Sequence, residues 1–162
     1  MKHPTYVVGC AICEQNAGQK PIPGGVVFEN ALWLVRHAGP PHAVPGWMML
    51  HSQRHVGGPA HFDDAEAANF GLALRHFERV LEQVTGALRI YTAAMGESFP
   101  HFHGHMIPKY AEMPGGAEAM AVFDLPRRAA AGEIAADDTE VERITLAYRR
   151  ALRDNPLPPT AR

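Results

Sequence analysis

The sequence predicts an α+β fold, an antiparallel sheet of about five strands with one long helix and a C-terminal helical extension. Two observations predict it. Apolar pieces of strand length, cut apart by Pro and Gly clusters, occupy the first third of the chain and return after residue 87. Between them lies one stretch whose apolar residues recur at helical spacing.

The elements follow in order. Gly18 to Gly25 reads as loop, with Pro21, Pro23, Gly24 and Gly25 marking turns before Val26-Val27-Phe28 and Leu32-Trp33-Leu34-Val35, a hairpin. A second breaker cluster, Gly39-Pro40-Pro41 to Pro45-Gly46, precedes a third strand, Trp47-Met48-Met49-Leu50, that ends near Arg54-His55. Asp63 or Asp64 caps the long helix. Phe70, Leu74, Phe77, Leu81 and Val84 form its apolar stripe, and Gly86 stops it. Leu88-Arg89-Ile90-Tyr91 and His101 to Ile107 are the last two strands, joined by a turn around Met95-Gly96-Glu97-Ser98. Beyond Tyr110 the chain turns rich in Gly, Pro and Ala. A last helix then starts at Thr139, where Thr139-Glu140-Val141-Glu142 has capping-box form and Val141, Ile144, Tyr148 and Leu152 share a face. The tail Pro156-Leu157-Pro158-Pro159 is expected to fray.

Composition narrows the function. The 162 residues are 46% hydrophobic and 20% charged, an ordinary globular balance long enough for one domain with its own core. Fifteen Lys and Arg against seventeen Asp and Glu leave a net charge of −2, so no long-range positive field gathers a polyanion. Nucleic acid is not an expected partner, whereas a small anion in a local pocket is compatible. No apolar run reaches the roughly 18 residues of a membrane span, and MKHPTYVV lacks a signal-peptide layout. The expected location is the cytoplasm.

Chemistry concentrates in two cysteines and ten histidines. Cys10 and Cys13 are three apart, a spacing that supplies half a tetrahedral zinc site, with His55 and His101 as candidates for the other half. Two thiolates, two neutral imidazoles and one Zn²⁺ sum to zero charge with no open position, so such a site is structural. A buried cysteine pair and a redox pair are the alternatives. His101-Phe102-His103-Gly104-His105 puts three imidazoles on one face of a strand, about 6.6 Å apart along it. A neutral imidazole there can attack phosphorus itself, or the three rings can hold a catalytic zinc. Geometry weighs against the second, since His101 and His105 stand about 13 Å apart on a regular strand.

His101-Phe102-His103-Gly104-His105-Met106-Ile107, followed by Pro108, resembles the signature of the histidine triad superfamily. Gly96-Glu97-Ser98 stands where that family contacts phosphate, Gly46 to His55 is similar to its strand ending in a histidine, and Cys10-Ala11-Ile12-Cys13 resembles the zinc knuckle of bacterial members. The resemblance spans about residues 6 to 110, dividing the chain into a histidine triad domain, 1–110, and a C-terminal extension, 111–162, packed on or trailing it. It implies a nucleotidyl hydrolase cleaving a nucleoside phosphoanhydride or phosphoramidate, such as a diadenosine polyphosphate, through a covalent intermediate on His103. His105 and Ser98 would assist in catalysis; Gly96, Glu97, Ser98, His105 and Trp47 would hold substrate. Structural zinc on Cys10, Cys13, His55 and His101, and a homodimer, are likewise implied. Alternatives are a nucleotide-binding regulator with little turnover and a metallohydrolase with zinc on the triad. Three departures stand out: Trp47 replaces a histidine that supports the nucleophile, Glu97 replaces a glutamine, and His37 to His42 occupies the stretch that offers relatives' ribose an acid.

Overall fold

In the computed structural model residues 2–159 are described. The strands β1 (Val26–Glu29), β2 (Trp33–His37), β3 (Met48–Ser52), β4 (Arg89–Ala93) and β5 (His103–Lys109) form one sheet in the order β1-β2-β3-β5-β4, every pair antiparallel. Helix α1 (Ala11–Asn16) precedes the sheet, α2 (Asp64–Thr85) connects β3 to β4, and α3 (Leu125–Ala130) and α4 (Asp138–Asp154) follow it. This is the expected α+β architecture.

Strand alternation gives the sheet two chemically different faces. One carries Trp33, Val35, Met48, Leu50 and Met106, which pack with Phe77, Val80 and Leu81 of α2 and with Ile144, Tyr148 and Leu152 of α4. Each large side chain buried there stabilises the fold by about 1.5–3 kcal/mol. Two of its aromatic polar groups are satisfied: the Trp33 indole donates to Asn69 Oδ1 at 2.7 Å, and the Tyr148 hydroxyl donates to the Phe77 carbonyl at 2.9 Å. The other face carries Arg36, Met49, His51, His103, His105 and Ile107. A second core forms on part of it, where Trp47, Met49 and Ile107 meet Met113, Ala117, Val122 and Leu125 from beyond residue 110.

Caps set the helix ends. Asp63 and Glu66 make a reciprocal capping box at the start of α2, and Gly86 ends it at φ 66°, a left-handed conformation that only glycine adopts without strain. The last helix begins earlier than the Thr139 box predicts. Its cap is Asp137, whose Oδ1 accepts from the Glu140 N–H at 2.9 Å, because an aspartate two residues upstream fills the same role. Arg149 reaches back to the carbonyls of Val26 and Gly24 at 3.0 and 2.7 Å, tying α4 to β1.

Three other expectations are corrected. Strand β2 runs on to His37, past its expected end at Val35, because β3 pairs with it that far, whereas β3 stops at Ser52, opposite the first residue of β2 and short of Arg54-His55. His101 lies ahead of β5, which starts at His103. In the tail, Leu157 packs against the first core. No helix among the described residues is long and apolar enough to cross a membrane.

Candidate active site and metal centre

Cys10 caps α1 and Cys13 lies in its first turn, so one short helix presents both thiols. His55 follows β3 and His101 precedes β5, adjacent strands whose ends meet at this corner of the sheet. The four donor atoms lie within 4.8 Å of one another. Cys13 Sγ is 3.3 Å from His55 Nδ1 and 3.4 Å from His101 Nδ1, and Cys10 Sγ is 3.7 Å from His101 Nδ1. The S···N edge of a zinc tetrahedron is about 3.6 Å. These residues form a cluster that could hold a metal ion.

The surroundings fit that use. The fully buried His101 ring donates from Nε2 to the Ser52 carbonyl at 2.8 Å, which leaves its Nδ1 lone pair facing the thiols. The Val7 N–H lies 3.5 Å from Cys13 Sγ. Asn16, at the end of α1, donates to the same Ser52 carbonyl at 2.8 Å and fixes the helix to β3. Burial pulls His101 down to about 4, so the ring is a neutral ligand at pH 7.

His103 and His105 lie side by side on β5, ring centroids 5.5 Å apart, with opposite tautomers. His103 Nδ1 is 2.8 Å from the His101 carbonyl, which can only accept, so Nδ1 carries the proton and Nε2 the lone pair. His105 Nδ1 is 3.1 Å from the Trp47 indole nitrogen, which can only donate, so Nε2 carries the proton of His105. Burial, with smaller contributions from His103 and Arg36, lowers His105 to about 4 and keeps it neutral. The triad therefore splits: His101 turns to the cysteines, and the other two stay on the sheet. Among the described residues the Cys10, Cys13, His55 and His101 set is the one group that could hold a metal, and it excludes His103 and His105.

Gly96, Glu97 and Ser98 lie in the loop between β4 and β5, the latter two exposed and without a hydrogen bond or ion pair among the described residues. The nearest ring to His103 from that loop is Phe99, at 6.3 Å. Trp47 is buried beside His105 as its partner. His51, on the same face of β3, is fully buried, with Nδ1 3.2 Å from Asn16 Oδ1. Lys109 and Arg54 are occupied, pairing with Glu118 at 2.7 Å and Glu66 at 3.0 Å.

A cavity of about 200 Å³ opens beside His105 and Trp47, lined by these two and by Arg36, His37, His42 and Val44 among others. Two of its neighbours were missed by sequence reasoning. Phe123, from the extension, packs edge-on against both His105 and Trp47 at 5.3 and 5.7 Å. Nothing local in the sequence pairs residue 123 with β5. Arg36 did leave a signal, as a charge that directly follows the apolar run Leu32-Trp33-Leu34-Val35.

No protein-family model matches the sequence, and no curated protein matches it. Solved structures do. The chain is similar to a HIT-like protein involved in cell-cycle regulation from Bartonella henselae, with 16% identity over 91% of this chain and 98% of that one, at a TM-score of 0.66. A Zn-bound histidine triad family protein from Mycobacterium smegmatis gives 16%, 91%, 95% and 0.66. The chain has the histidine triad fold. A hypothetical histidine triad nucleotide-binding protein from Sulfolobus tokodaii, 14% identical over 90% of this chain and 93% of that one, also superposes at 0.66. These histidine triad matches run too far along the chain to end at residue 110, so part of the extension belongs to the shared architecture.

Proposed function

We propose that the protein is a nucleotidyl hydrolase that cleaves a nucleoside phosphoanhydride or phosphoramidate at the α-phosphate. One observation carries the reading: the His103 Nε2 lone pair is fixed by the His101 carbonyl, beside a neighbour, His105, whose Nε2–H is a donor. His103 Nε2 forms a bond to the α-phosphorus and the bond to the leaving group breaks, its electron pair departing with that group. A phosphate leaves without a proton; an amine takes one from water. His105 Nε2–H donates to a phosphoryl oxygen as charge builds there. Water then attacks the phosphorus and gives up a proton to solvent, the P–Nε2 bond breaks with its electron pair returning to the His103 ring, and a nucleoside monophosphate is released.

The four-residue cluster is proposed as a structural zinc site. A zinc ion there would join α1 to the sheet with all four ligand positions filled by protein. Two thiolates and two neutral imidazoles are its donor set, and zinc is what the Mycobacterium smegmatis neighbour contains.

The test is release of nucleoside monophosphate from diadenosine polyphosphates and an adenosine phosphoramidate by wild type and His103→Ala. We expect wild-type release, none from the variant, and retained nucleotide binding in both; near-normal turnover by His103→Ala overturns the mechanism. A second reading is favoured by the exposed, unengaged Glu97 and Ser98: a nucleotide-binding regulator with little turnover. Binding without release by wild type selects it. A homodimer is also proposed. The edge strand β4 is flanked by exposed Leu88, Met95 and Phe99, which a second copy would cover, and sedimentation at a mass of two chains is the expected result.

A further inference from the structure

Arg36 is a largely buried cation with no anion beside it. Among the described residues it forms no ion pair; its Nη1 donates to the His37 carbonyl at 2.8 Å, and its buried Nε–H has no hydrogen-bond partner. The nearby carboxylate of Asp138 is taken by His42 at 2.8 Å. Burial alone pulls the guanidinium from its usual range to about 10, with no acid to offset it. A cation held this way destabilises the fold, and an apolar side chain would satisfy the strand alternation better.

Its position is informative. Arg36, Met49 and His105 are register partners across β2, β3 and β5, so Arg36 shares the face of His105 two strand spacings away, about 10 Å between backbones. Both line the 200 Å³ cavity, whose other polar walls are His37, His42 and the Trp47 side. His37 is neutral, held near 4 by burial, and its ring is spent on the Ala38 carbonyl and the Gly46 N–H. The cavity thus carries one fixed positive charge and no negative one.

We propose that Arg36 anchors a second anion subsite: the substrate carries, besides the phosphate that His103 attacks, a further phosphate or carboxylate that enters this cavity and pairs with the guanidinium. The proposal rests on the nucleotidyl hydrolase reading and names its substrate class, a nucleotide with two separated anionic groups. The second group belongs either to the nucleoside, as a ribose phosphate, or to the leaving group. A planar guanidinium with free donors suits either, because it can meet two oxygens at once.

The test compares binding of AMP, ADP and adenosine 3′,5′-bisphosphate to wild type, Arg36→Met and Arg36→Lys by calorimetry. Wild type is expected to bind one of the two doubly phosphorylated ligands about 10- to 100-fold more tightly than AMP, the worth of a charge-assisted pair. The bisphosphate being preferred puts the second anion on the nucleoside; ADP being preferred puts it on the leaving side. Arg36→Met should lose that preference while its AMP affinity stays within about twofold, and Arg36→Lys should recover part of it. Without ligand, Arg36→Met should melt no lower than wild type; a lower midpoint makes Arg36 a structural residue and overturns the proposal. So does a wild type that binds all three alike. If no nucleotide binds wild type, the nucleotide reading fails, and pyrophosphate then decides the subsite alone: thermal stabilisation of wild type but not Arg36→Met supports it, and equal or absent stabilisation overturns it.

Discussion

His103 and His105 are two residues apart on one strand face and hold their protons on opposite nitrogens, one through a carbonyl and the other through an indole. Trp47 thus acts on His105, and His103 relies on backbone. Trp47→Phe keeps the apolar body and deletes the donor, freeing His105 to take either tautomer. Its expected effect is a fall in turnover of about 10- to 100-fold, with two-bond ¹H–¹⁵N spectra showing a mixed tautomer at His105 instead of Nε2–H alone. The triad itself was legible from spacing. So was the turn of His101 toward the cysteines, whose half-site it was expected to complete; the proton positions of His103 and His105 were not, because they are set by the His101 carbonyl and by the Trp47 indole across the sheet. His37 carries a second prediction. Its folded pKa of about 4 lies below the unfolded 6.5, so the unfolded chain binds the extra proton between those values. The stability it contributes is full above about pH 6.5 and is lost as pH falls toward 4, by roughly 3 kcal/mol. Denaturant unfolding of His37→Gln should show a correspondingly flatter decline than wild type across that window.

Helix α1 is six residues long, too short to persist on its own, and the interactions that hold it are Asn16 against β3 and two thiols facing two imidazoles. That explains why sequence periodicity did not predict it as a helix while the cysteine spacing still marked the site. We expect chelation or Cys10→Ser to lower the thermal midpoint. Turnover should fall with it, because His101 sends its ring to the cysteines and its carbonyl to His103. Reconstitution with Co²⁺ or Cd²⁺ should restore both alike; turnover that tracks the identity of the metal would place the ion in the reaction instead. The long helices were legible from their apolar stripes, and only the capping of α4 was misread. Asp137→Ala should cost about 1 kcal/mol in chemical denaturation, and Thr139→Ala far less.

At the scale of the molecule, the five-stranded sheet has a core on each face, and both draw on residues beyond 110. The histidine triad motifs end before that point, so the extension read as packed on or trailing the domain, although the apolar face of its last helix was visible in the sequence. Which sheet face each part covers is a matter of long-range packing that no local pattern encodes. A chain stopping at residue 110 loses Ile144, Tyr148 and Leu152 from one core and Val122 and Leu125 from the other. It should show no cooperative unfolding transition by circular dichroism. Phe123 adds a temporal consequence. During synthesis the amino end emerges first, so the metal ligands and all three triad histidines exist while the face they share is still bare to water. A chain emerging from the ribosome therefore holds every candidate ligand and every triad histidine before Phe123, the ring that packs on His105 and Trp47, has been made.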